Sequence, residues 1–354
     1  MVPITSAFQS EAPLHPKAAQ LLADVFDRGW ADPAKIHQDS RSTGALLYEA
    51  KETFAGAFGV RPDEIYFLGE PPLGFHLGIN GLIEEDSRLF YSGTDRAPVH
   101  AIVDGRNNHG FKNELDSTLQ STQSTQSTPT DILVYQSVNP ETGIHKPKPD
   151  DFMGRVFVDN TAYGIHSHLP TNWATAAWQS RSWQGPAGLG VFAVRTGAHW
   201  HNPLPHNDSS KVPQSFSIPL ALASAVALEN FTKDYVESQN RIKEFKIAIT
   251  QFLVNDIGGA MLVGDLHRDS PFLMSALVND IDAEKLVNDL NQRGIFVDSG
   301  SACNSSNLQP SHVLAAMGLP TAGNIRLTIH PHTTQENIDI LLKNLKELVA
   351  EQRL

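Results

Sequence analysis

The residue best suited to nucleophilic chemistry is Cys303, the only cysteine among the 354 residues. It lies within residues 298–312, a run of small and polar residues that reads Asp-Ser-Gly-Ser-Ala-Cys-Asn-Ser-Ser-Asn-Leu-Gln-Pro-Ser-His and predicts an exposed loop. Pro310 and Ser311 favour the start of a short helix, and Gly318 favours its end. A thiol exposed beside a helix start is suited to act as a nucleophile. A small buried cysteine is the alternative.

Several motifs around this cysteine resemble those of a known family. Ser-Gly-Ser-Ala-Cys, Pro-Ser-His-Val-Leu and Ala-Met-Gly-Leu occupy residues 299–303, 310–314 and 316–319. Together they resemble the active-site loop of cysteine desulfurases, which are class V aminotransferase-like proteins with the pyridoxal-phosphate (PLP) fold type I. The resemblance extends over nearly the whole chain, from about residue 13 to residue 348.

The resemblance implies a cofactor and a set of site residues. In that family the loop cysteine attacks the sulfur of PLP-bound cysteine and becomes a persulfide, which is the role implied for Cys303. Asp159 matches the aspartate that pairs with the pyridinium nitrogen, and Asn139 matches an asparagine near the phenolic oxygen. Arg326 matches the arginine that binds the substrate carboxylate. Ser215 lies where a threonine reaches the phosphate bound by the partner subunit.

Four positions depart from the family pattern, and all four would touch the cofactor. Ser182 stands where the family has its Schiff-base lysine, Arg96 where a histidine stacks on the pyridine ring, and Ala162 where a glutamine is usual. Residues 69–74 read Gly-Glu-Pro-Pro-Leu-Gly in place of a glycine- and threonine-containing phosphate turn, and each proline lacks an N–H donor. A serine cannot form an imine.

The departures predict a pseudoenzyme: a desulfurase-like protein that has lost ordinary PLP catalysis and has a binding or regulatory role, in sulfur metabolism. One alternative is a PLP-dependent cysteine desulfurase, lyase or aminotransferase-like enzyme that holds its cofactor without a covalent bond. Another is a persulfide carrier, in which Cys303 accepts sulfur from another enzyme without using PLP. The resemblance also implies a homodimer, and a sulfur-relay protein as partner.

The elements that must position these residues are predicted from apolar runs. Residues 131–135, 155–159 and 190–195 read as buried strands, and Asp159 lies at a carboxyl end, where open α/β sheets bind ligands. The resemblance implies an α/β protein: a large domain with a mainly parallel seven-stranded sheet sandwiched by helices, and a small C-terminal α/β domain. The predicted divisions are an N-terminal arm at residues 1–14, the large domain at residues 15–245 and the small domain at residues 246–354. A polar Gln-Ser-Thr insertion is predicted within the large domain, at residues 117–130.

Two helical predictions concern the second half of the chain. Residues 219–257 read as two helices. Residues 333–336, Thr-Thr-Gln-Glu, have the spacing of a capping box at the start of the last helix.

Composition narrows the classes of partner. The formal net charge of −12 argues against nucleic acid as a partner, because phosphate binding needs basic patches. No apolar run approaches the length of a membrane span, and no signal peptide is evident, so the sequence predicts a cytoplasmic protein. His199, His201 and His206 are interpreted as a polar loop, and no metal site is predicted.

Overall fold

The computed structural model describes residues 6–109, 113–115, 127–162, 168–205, 216–266, 269–270, 272–300 and 310–354. The chain divides into two compact units. The large unit consists of Pro13–Val138 and Lys146–Thr232, and the small unit consists of Met1–Ala12, Asn139–His145 and Lys233–Leu354. The domain bounds given above from the sequence stay a prediction.

The described residues form twelve strands and eight α-helices. The strands are β1 (Ser6–Ala7), β2 (Ile65–Leu68), β3 (Leu89–Tyr91), β4 (Asn113–Leu115), β5 (Ile132–Gln136), β6 (Arg155–Asp159), β7 (Trp173–Gln179), β8 (Gly190–Val194), β9 (Ala260–Val263), β10 (Leu273–Val278), β11 (Ile295–Phe296) and β12 (Asn324–Thr328). The helices are α1 (Pro16–Arg28), α2 (Gln38–Phe58), α3 (Leu73–Asn80), α4 (Ala97–Asn108), α5 (Ile218–Phe252), α6 (Ala283–Gln292), α7 (His312–Ala316) and α8 (Gln335–Gln352).

A seven-stranded sheet organises the large unit, in the order β2-β8-β7-β6-β5-β3-β4. The pairs from β4 through β7 are parallel, whereas β8 is antiparallel to both β7 and β2. The sheet is therefore mainly parallel, as predicted. The carboxyl ends of β3, β5, β6 and β7 share one edge, called here the carboxyl edge. The end of β8 lies at the opposite edge, the amino edge, beside the starts of β6 and β7.

Helix α3 packs directly against the centre of this sheet. A Cβ atom on Gly78 would lie 2.4 Å from the ring of Phe157 on β6, so only glycine permits this approach. The core at this contact consists of buried side chains from α3, α4, β3, β5, β6 and β7. Such a core fixes the strand ends that carry the polar residues at both edges.

Helix α5 is one helix of 35 residues, so the prediction of two helices between residues 219 and 257 was wrong. Its only proline, Pro219, lies in the first turn, where a missing N–H costs no hydrogen bond. No glycine or proline interrupts the rest of the helix. The helix therefore continues without a break to Phe252 and is followed by a π-helical turn at Leu253–Ile257.

The small unit contains an antiparallel sheet in the order β12-β10-β9 and a parallel pair of β1 with β11. The N-cap residue of α8 lies one position later than the capping box predicted at residues 333–336. Thr334 is the N-cap, and its partner in the capping box is Asn337. The Thr333 hydroxyl instead accepts a hydrogen bond from the backbone N–H of His330 at 3.0 Å. A membrane-crossing helix would have to be longer or more apolar than any in the described part of the chain.

Candidate functional site

Asp159, the last residue of β6, is the centre of a polar network at the carboxyl edge. It is buried, as expected for a residue between two neighbouring strands. Its Oδ1 accepts hydrogen bonds from the Thr161 backbone N–H at 2.9 Å and from the Thr161 hydroxyl at 2.5 Å. Its Oδ2 lies 3.3 Å from the Gln136 side-chain nitrogen at the end of β5. Both carboxylate oxygens are therefore engaged by the protein itself.

Arg96 is the second charged partner of this carboxylate. It is the N-cap residue of α4, in an extended conformation that turns the chain from the loop after β3 into the helix. Its Nε lies 3.5 Å from Asp159 Oδ2, an ion-pair contact outside hydrogen-bond geometry. The sequence predicted both residues at the site separately, and the structure brings them into contact.

A second ion pair lies beside the first. Lys146 Nζ is 3.3 Å from Oδ1 of Asp95, which is fully buried. Burial raises the pKa of the Asp95 carboxyl above its usual value, while Lys146 acts in the opposite direction and nearby Asp159 adds to the increase. The four side chains Asp95, Arg96, Lys146 and Asp159 are called the carboxyl-edge cluster below.

Sequence reasoning missed Lys146. Its backbone is fixed by two hydrogen bonds: its N–H donates to Ser137 O at 3.2 Å, and its own carbonyl accepts from the Tyr135 hydroxyl at 3.0 Å. Burial raises the pKa of Tyr135 to about 12, so this hydroxyl stays protonated and remains a donor at neutral pH. The signal available in the sequence was a lysine shortly after a turn that follows a buried strand.

Ser182 lies on a 3₁₀ turn, Ser180–Trp183, immediately after β7. The turn is held by Trp183, which is fully buried and donates from its indole N–H to the Ser224 hydroxyl at 3.1 Å. The Ser180 and Ser224 hydroxyls are 2.6 Å apart. Ser182 itself is buried, and its hydroxyl donates to Thr161 O at 2.6 Å. Thr161 thus links Ser182 to Asp159.

The start of α3 follows the predicted break in the phosphate turn. The backbone N–H groups of Leu73, Gly74 and Phe75 donate to the carbonyls of the residues three positions earlier, at 3.0, 3.0 and 3.1 Å. Those acceptors are Glu70, Pro71 and Pro72. A helix start can bind an anion through N–H groups that have no partner within the helix. At the start of α3 these three N–H groups already have partners.

The small unit contains two of the predicted site residues. Asn139 Oδ1 accepts from the backbone N–H groups of Glu141 and Thr142 at 2.9 and 3.0 Å, which is the hydrogen bonding of an Asn-initiated turn. Arg326, on β12, is buried and donates from Nη2 to Ser299 O at 3.2 Å. The cofactor role predicted for Asn139 and the substrate role predicted for Arg326 stay predictions.

Four predictions fall outside the described residues: the roles of Cys303 and Ser215, the interpretation of His206 as part of a polar loop, and most of the insertion at residues 117–130. The residues that follow the cysteine segment are described. Ser311 is the N-cap of α7, as predicted, and its hydroxyl donates to Glu141 at 2.6 Å.

Comparisons with known proteins agree with this architecture. The family model for aminotransferase class-V matches residues 112–341, more than half of the chain. The cysteine desulfurase IscS of Dictyoglomus turgidum is 21% identical over 98% of this chain and 94% of its own length. A cysteine desulfurase of Gluconacetobacter diazotrophicus is 30% identical over 48% of this chain and 43% of its own length.

Two solved structures give the same fold. A NifS-like protein has a TM-score of 0.86 at 19% identity and covers 99% of this chain and 100% of its own. The cysteine desulfurase CsdA of Escherichia coli has a TM-score of 0.78 at 14% identity and covers 98% of this chain and 94% of its own. The chain belongs to the aminotransferase class-V family, and the predicted fold class is confirmed. Membership also supports PLP as the cofactor implied by the resemblance.

The described residues do not fit a PLP molecule held through residue 182 and the start of α3. Asp159 lies where a pyridinium partner is expected, but Arg96 already contacts it. The Ser182 hydroxyl donates to a backbone carbonyl, and the first N–H groups of α3 are hydrogen-bonded internally. The carboxyl edge thus has a carboxylate in the expected place, but residue 182 offers no amine and the N–H groups of Leu73, Gly74 and Phe75 are already used.

Proposed function

We propose that this chain is a cysteine-desulfurase-like protein that has lost lysine-dependent PLP catalysis and acts by binding a partner in sulfur metabolism. The observation that carries the proposal is the contact between Arg96 and Asp159. A carboxylate that pairs with a guanidinium has its charge compensated within the protein. It therefore has less to gain from a cofactor ring than an uncompensated carboxylate would have.

The identity of residue 182 supports the same proposal. A serine hydroxyl forms no imine, and the Ser182 hydroxyl is buried and donates to Thr161 O. A PLP molecule bound at residue 182 would break that hydrogen bond, and it would meet no amine there with which to form an imine. The neighbouring turn offers no replacement, because Ser180 and Trp183 are both hydrogen-bonded to Ser224.

An activity assay tests the proposal. Purified full-length protein is incubated with cysteine, excess PLP and a reductant, and alanine is measured by mass spectrometry against a sample of PLP without protein. We expect equal alanine in the two samples. Alanine production that depends on the protein and disappears in Cys303→Ala would contradict the proposal, because it would show desulfuration without a lysine at residue 182.

One observation favours retained amine chemistry as a second candidate. Lys146 places a primary amine in the carboxyl-edge cluster, 3.3 Å from Asp95, so a carbonyl ligand could be bound there rather than at residue 182. Under this alternative, Lys146→Arg abolishes any alanine production. Lys148→Arg is the matched control, because Lys148 is exposed and lies two residues away. If both variants produced as much alanine as the parent protein, Lys146 would be excluded as the amine that binds the carbonyl ligand.

We also propose that the chain forms a homodimer through the large unit. Residues 21–36 expose several large apolar side chains, and Trp30 and Ile36 are 71% and 84% exposed. An apolar patch of this kind usually marks a protein interface. Sedimentation of the parent should show a dimer, and Trp30→Asp should shift it towards monomer. Met153→Asp, at another exposed apolar residue of the same unit, should leave the dimer intact. A monomeric parent would exclude this interface.

A further inference from the structure

The amino edge of the large unit contains a cavity of about 540 Å³. This is within the range of sites for small molecules, roughly 300–1,000 Å³. The cavity is opposite the carboxyl-edge cluster, because its lining includes Arg155 at the start of β6 and Trp173 at the start of β7. The turn after β8 forms another wall, which includes Arg195 and His199.

Arg155 holds the walls of this cavity together. Its Nη1 donates to Glu84 Oε1 at 2.7 Å and to His199 O at 3.4 Å. Its Nη2 donates to Thr130 O at 2.8 Å and to the Ser87 hydroxyl at 3.4 Å. Four acceptors on three chain segments therefore occupy both of its terminal nitrogens. Arg155 supplies positive charge and rigidity to the site.

Arg195 has a different arrangement of hydrogen bonds. Its Nη1 donates to Thr171 O at 2.7 Å and to Trp173 O at 3.3 Å, which orients the guanidinium at the cavity wall. Its Nε and Nη2 donate to no atom within the described chain, and the residue is exposed. Nε and Nη2 form one side of the guanidinium fork, whose spacing matches the two oxygens of a carboxylate or phosphate.

The backbone around Arg195 is fixed before any ligand binds. The Arg195 N–H donates to Ala174 O on β7 at 2.9 Å, and the Thr196 N–H donates to Glu64 Oε1 at 2.7 Å. The Ala198 N–H then closes a turn onto Arg195 O at 3.0 Å, with Gly197 at a φ of +82°. A guanidinium placed by a rigid turn loses little freedom on binding.

We propose that this cavity, called here the amino-edge site, binds a small organic anion through its carboxylate or phosphate group. The oxyanion is bound side-on by Arg195, and the body of the ligand lies against Trp173 and Ala198. The lining carries two arginines and one glutamate, and that glutamate is paired with Arg155. The site is therefore cationic on a chain whose formal net charge is −12, and small anions are attracted to it.

Ligand-observed NMR on the full-length protein tests the proposal, with phenyl phosphate and benzoate as separate probes for the two oxyanion classes. At least one probe should bind with a Kd of about 1 mM or tighter, and the tighter one identifies the class. Arg195→Gln should weaken that binding by about tenfold or more. Arg61→Gln is the matched control, because Arg61 is an exposed arginine of the same unit whose guanidinium pairs with its neighbour Asp63.

Two further variants separate loss of binding from loss of structure. Thr196→Glu adds a negative charge at the cavity wall and keeps both hydrogen bonds of Arg195, so it should weaken binding as Arg195→Gln does. Arg96→Gln, at the carboxyl edge, should leave binding unchanged. The proposal is overturned if neither probe shows saturable binding up to 10-fold above the expected Kd, or if Arg195→Gln and Thr196→Glu bind like the parent. Loss of binding in Arg96→Gln with retention in Arg195→Gln would also overturn it, because the probe would then occupy the carboxyl edge.

Discussion

The two edges of the large unit's sheet use their charged residues in opposite ways. At the carboxyl edge, Asp159 contacts Arg96 and Asp95 contacts Lys146, so each charge has a protein partner. At the amino edge, Arg195 keeps one side of its guanidinium without a hydrogen-bond partner in the described chain, beside a cavity of about 540 Å³. Both edges are built on β6 and β7.

This difference indicates at which edge of the sheet a ligand binds with the more favourable free energy. Open α/β sheets usually bind ligands outside their carboxyl ends. In this chain a ligand at that edge would have to separate existing ion pairs and hydrogen bonds before forming its own. A ligand at the amino edge would have to displace only water from Arg195. Family membership therefore fixes the fold but leaves the binding edge to be decided by the pairing of individual side chains.

The largest effect is expected from Trp183→Ala, which removes the buried ring that holds the turn of Ser182. Trp183 packs at 5.9 and 5.6 Å from the rings of Phe54 and Phe58. Its loss should lower the free energy of unfolding by about 3–5 kcal/mol, measured by urea denaturation. Phenyl phosphate or benzoate binding at the amino edge should persist under folded conditions. A loss below about 1 kcal/mol would show that this turn does not depend on Trp183.

A smaller effect is expected from Thr161→Val, which keeps the shape of the side chain and removes its hydroxyl. The hydroxyl donates to buried Asp159 at 2.5 Å, so the variant leaves a charged acceptor with one hydrogen bond fewer and should lose about 2 kcal/mol of unfolding free energy. Asn160→Ala is the adjacent control. The Asn160 amide is buried and has no hydrogen-bond partner within the described chain, so its loss should cost under about 1 kcal/mol. Equal losses would mean that the network does not stabilise the carboxyl edge.

The smallest effect is a pH dependence from Asp95. Its pKa is raised in the folded state, mainly by burial, so the folded carboxyl holds its proton more tightly than the unfolded one. Stability should therefore fall as the pH rises from about 4 through the raised pKa, by at most about 1.4 kcal/mol per pH unit. Unfolding titrations of Asp95→Asn should lack this fall. Glu84→Gln at the amino edge should retain it, because Glu84 is half-exposed and its pair is weak. A slope unchanged in Asp95→Asn would contradict the assignment.

The sequence was informative where a local pattern determines the structure. The run at residues 155–159 predicted β6 and placed Asp159 at its carboxyl end, because buried parallel strands are continuous apolar runs. Pro71 and Pro72 predicted the altered start of α3 because proline lacks an N–H. The long-range pairs could not be predicted in this way. Arg96 and Asp159 are separated by 63 residues, and their contact depends on where the fold places the start of α4 relative to the end of β6.

The amino-edge site and Lys146 were missed for related reasons. The site depends on β8 being antiparallel, which brings Arg195 to the same edge as Arg155, and an apolar strand of five residues carries no information on its direction. The position of Lys146 depends on the hydrogen bond that its backbone N–H donates to Ser137 O, after the turn at residues 139–143. This contact is not visible in the local sequence. The start of α8 lies one residue later than predicted because Thr334, and not the adjacent Thr333, forms the capping box with Asn337.

The most direct test of the carboxyl edge is a visible absorption titration of the purified full-length protein with PLP, followed by borohydride reduction and peptide mass mapping. Lys148→Arg and Lys146→Arg are titrated in parallel. We predict no saturable absorption change at stoichiometric PLP and no adduct that is specific to the peptide containing Lys146. A saturable band that is lost in Lys146→Arg and kept in Lys148→Arg would contradict the account, because it would show that the paired charges of the carboxyl edge still admit the cofactor.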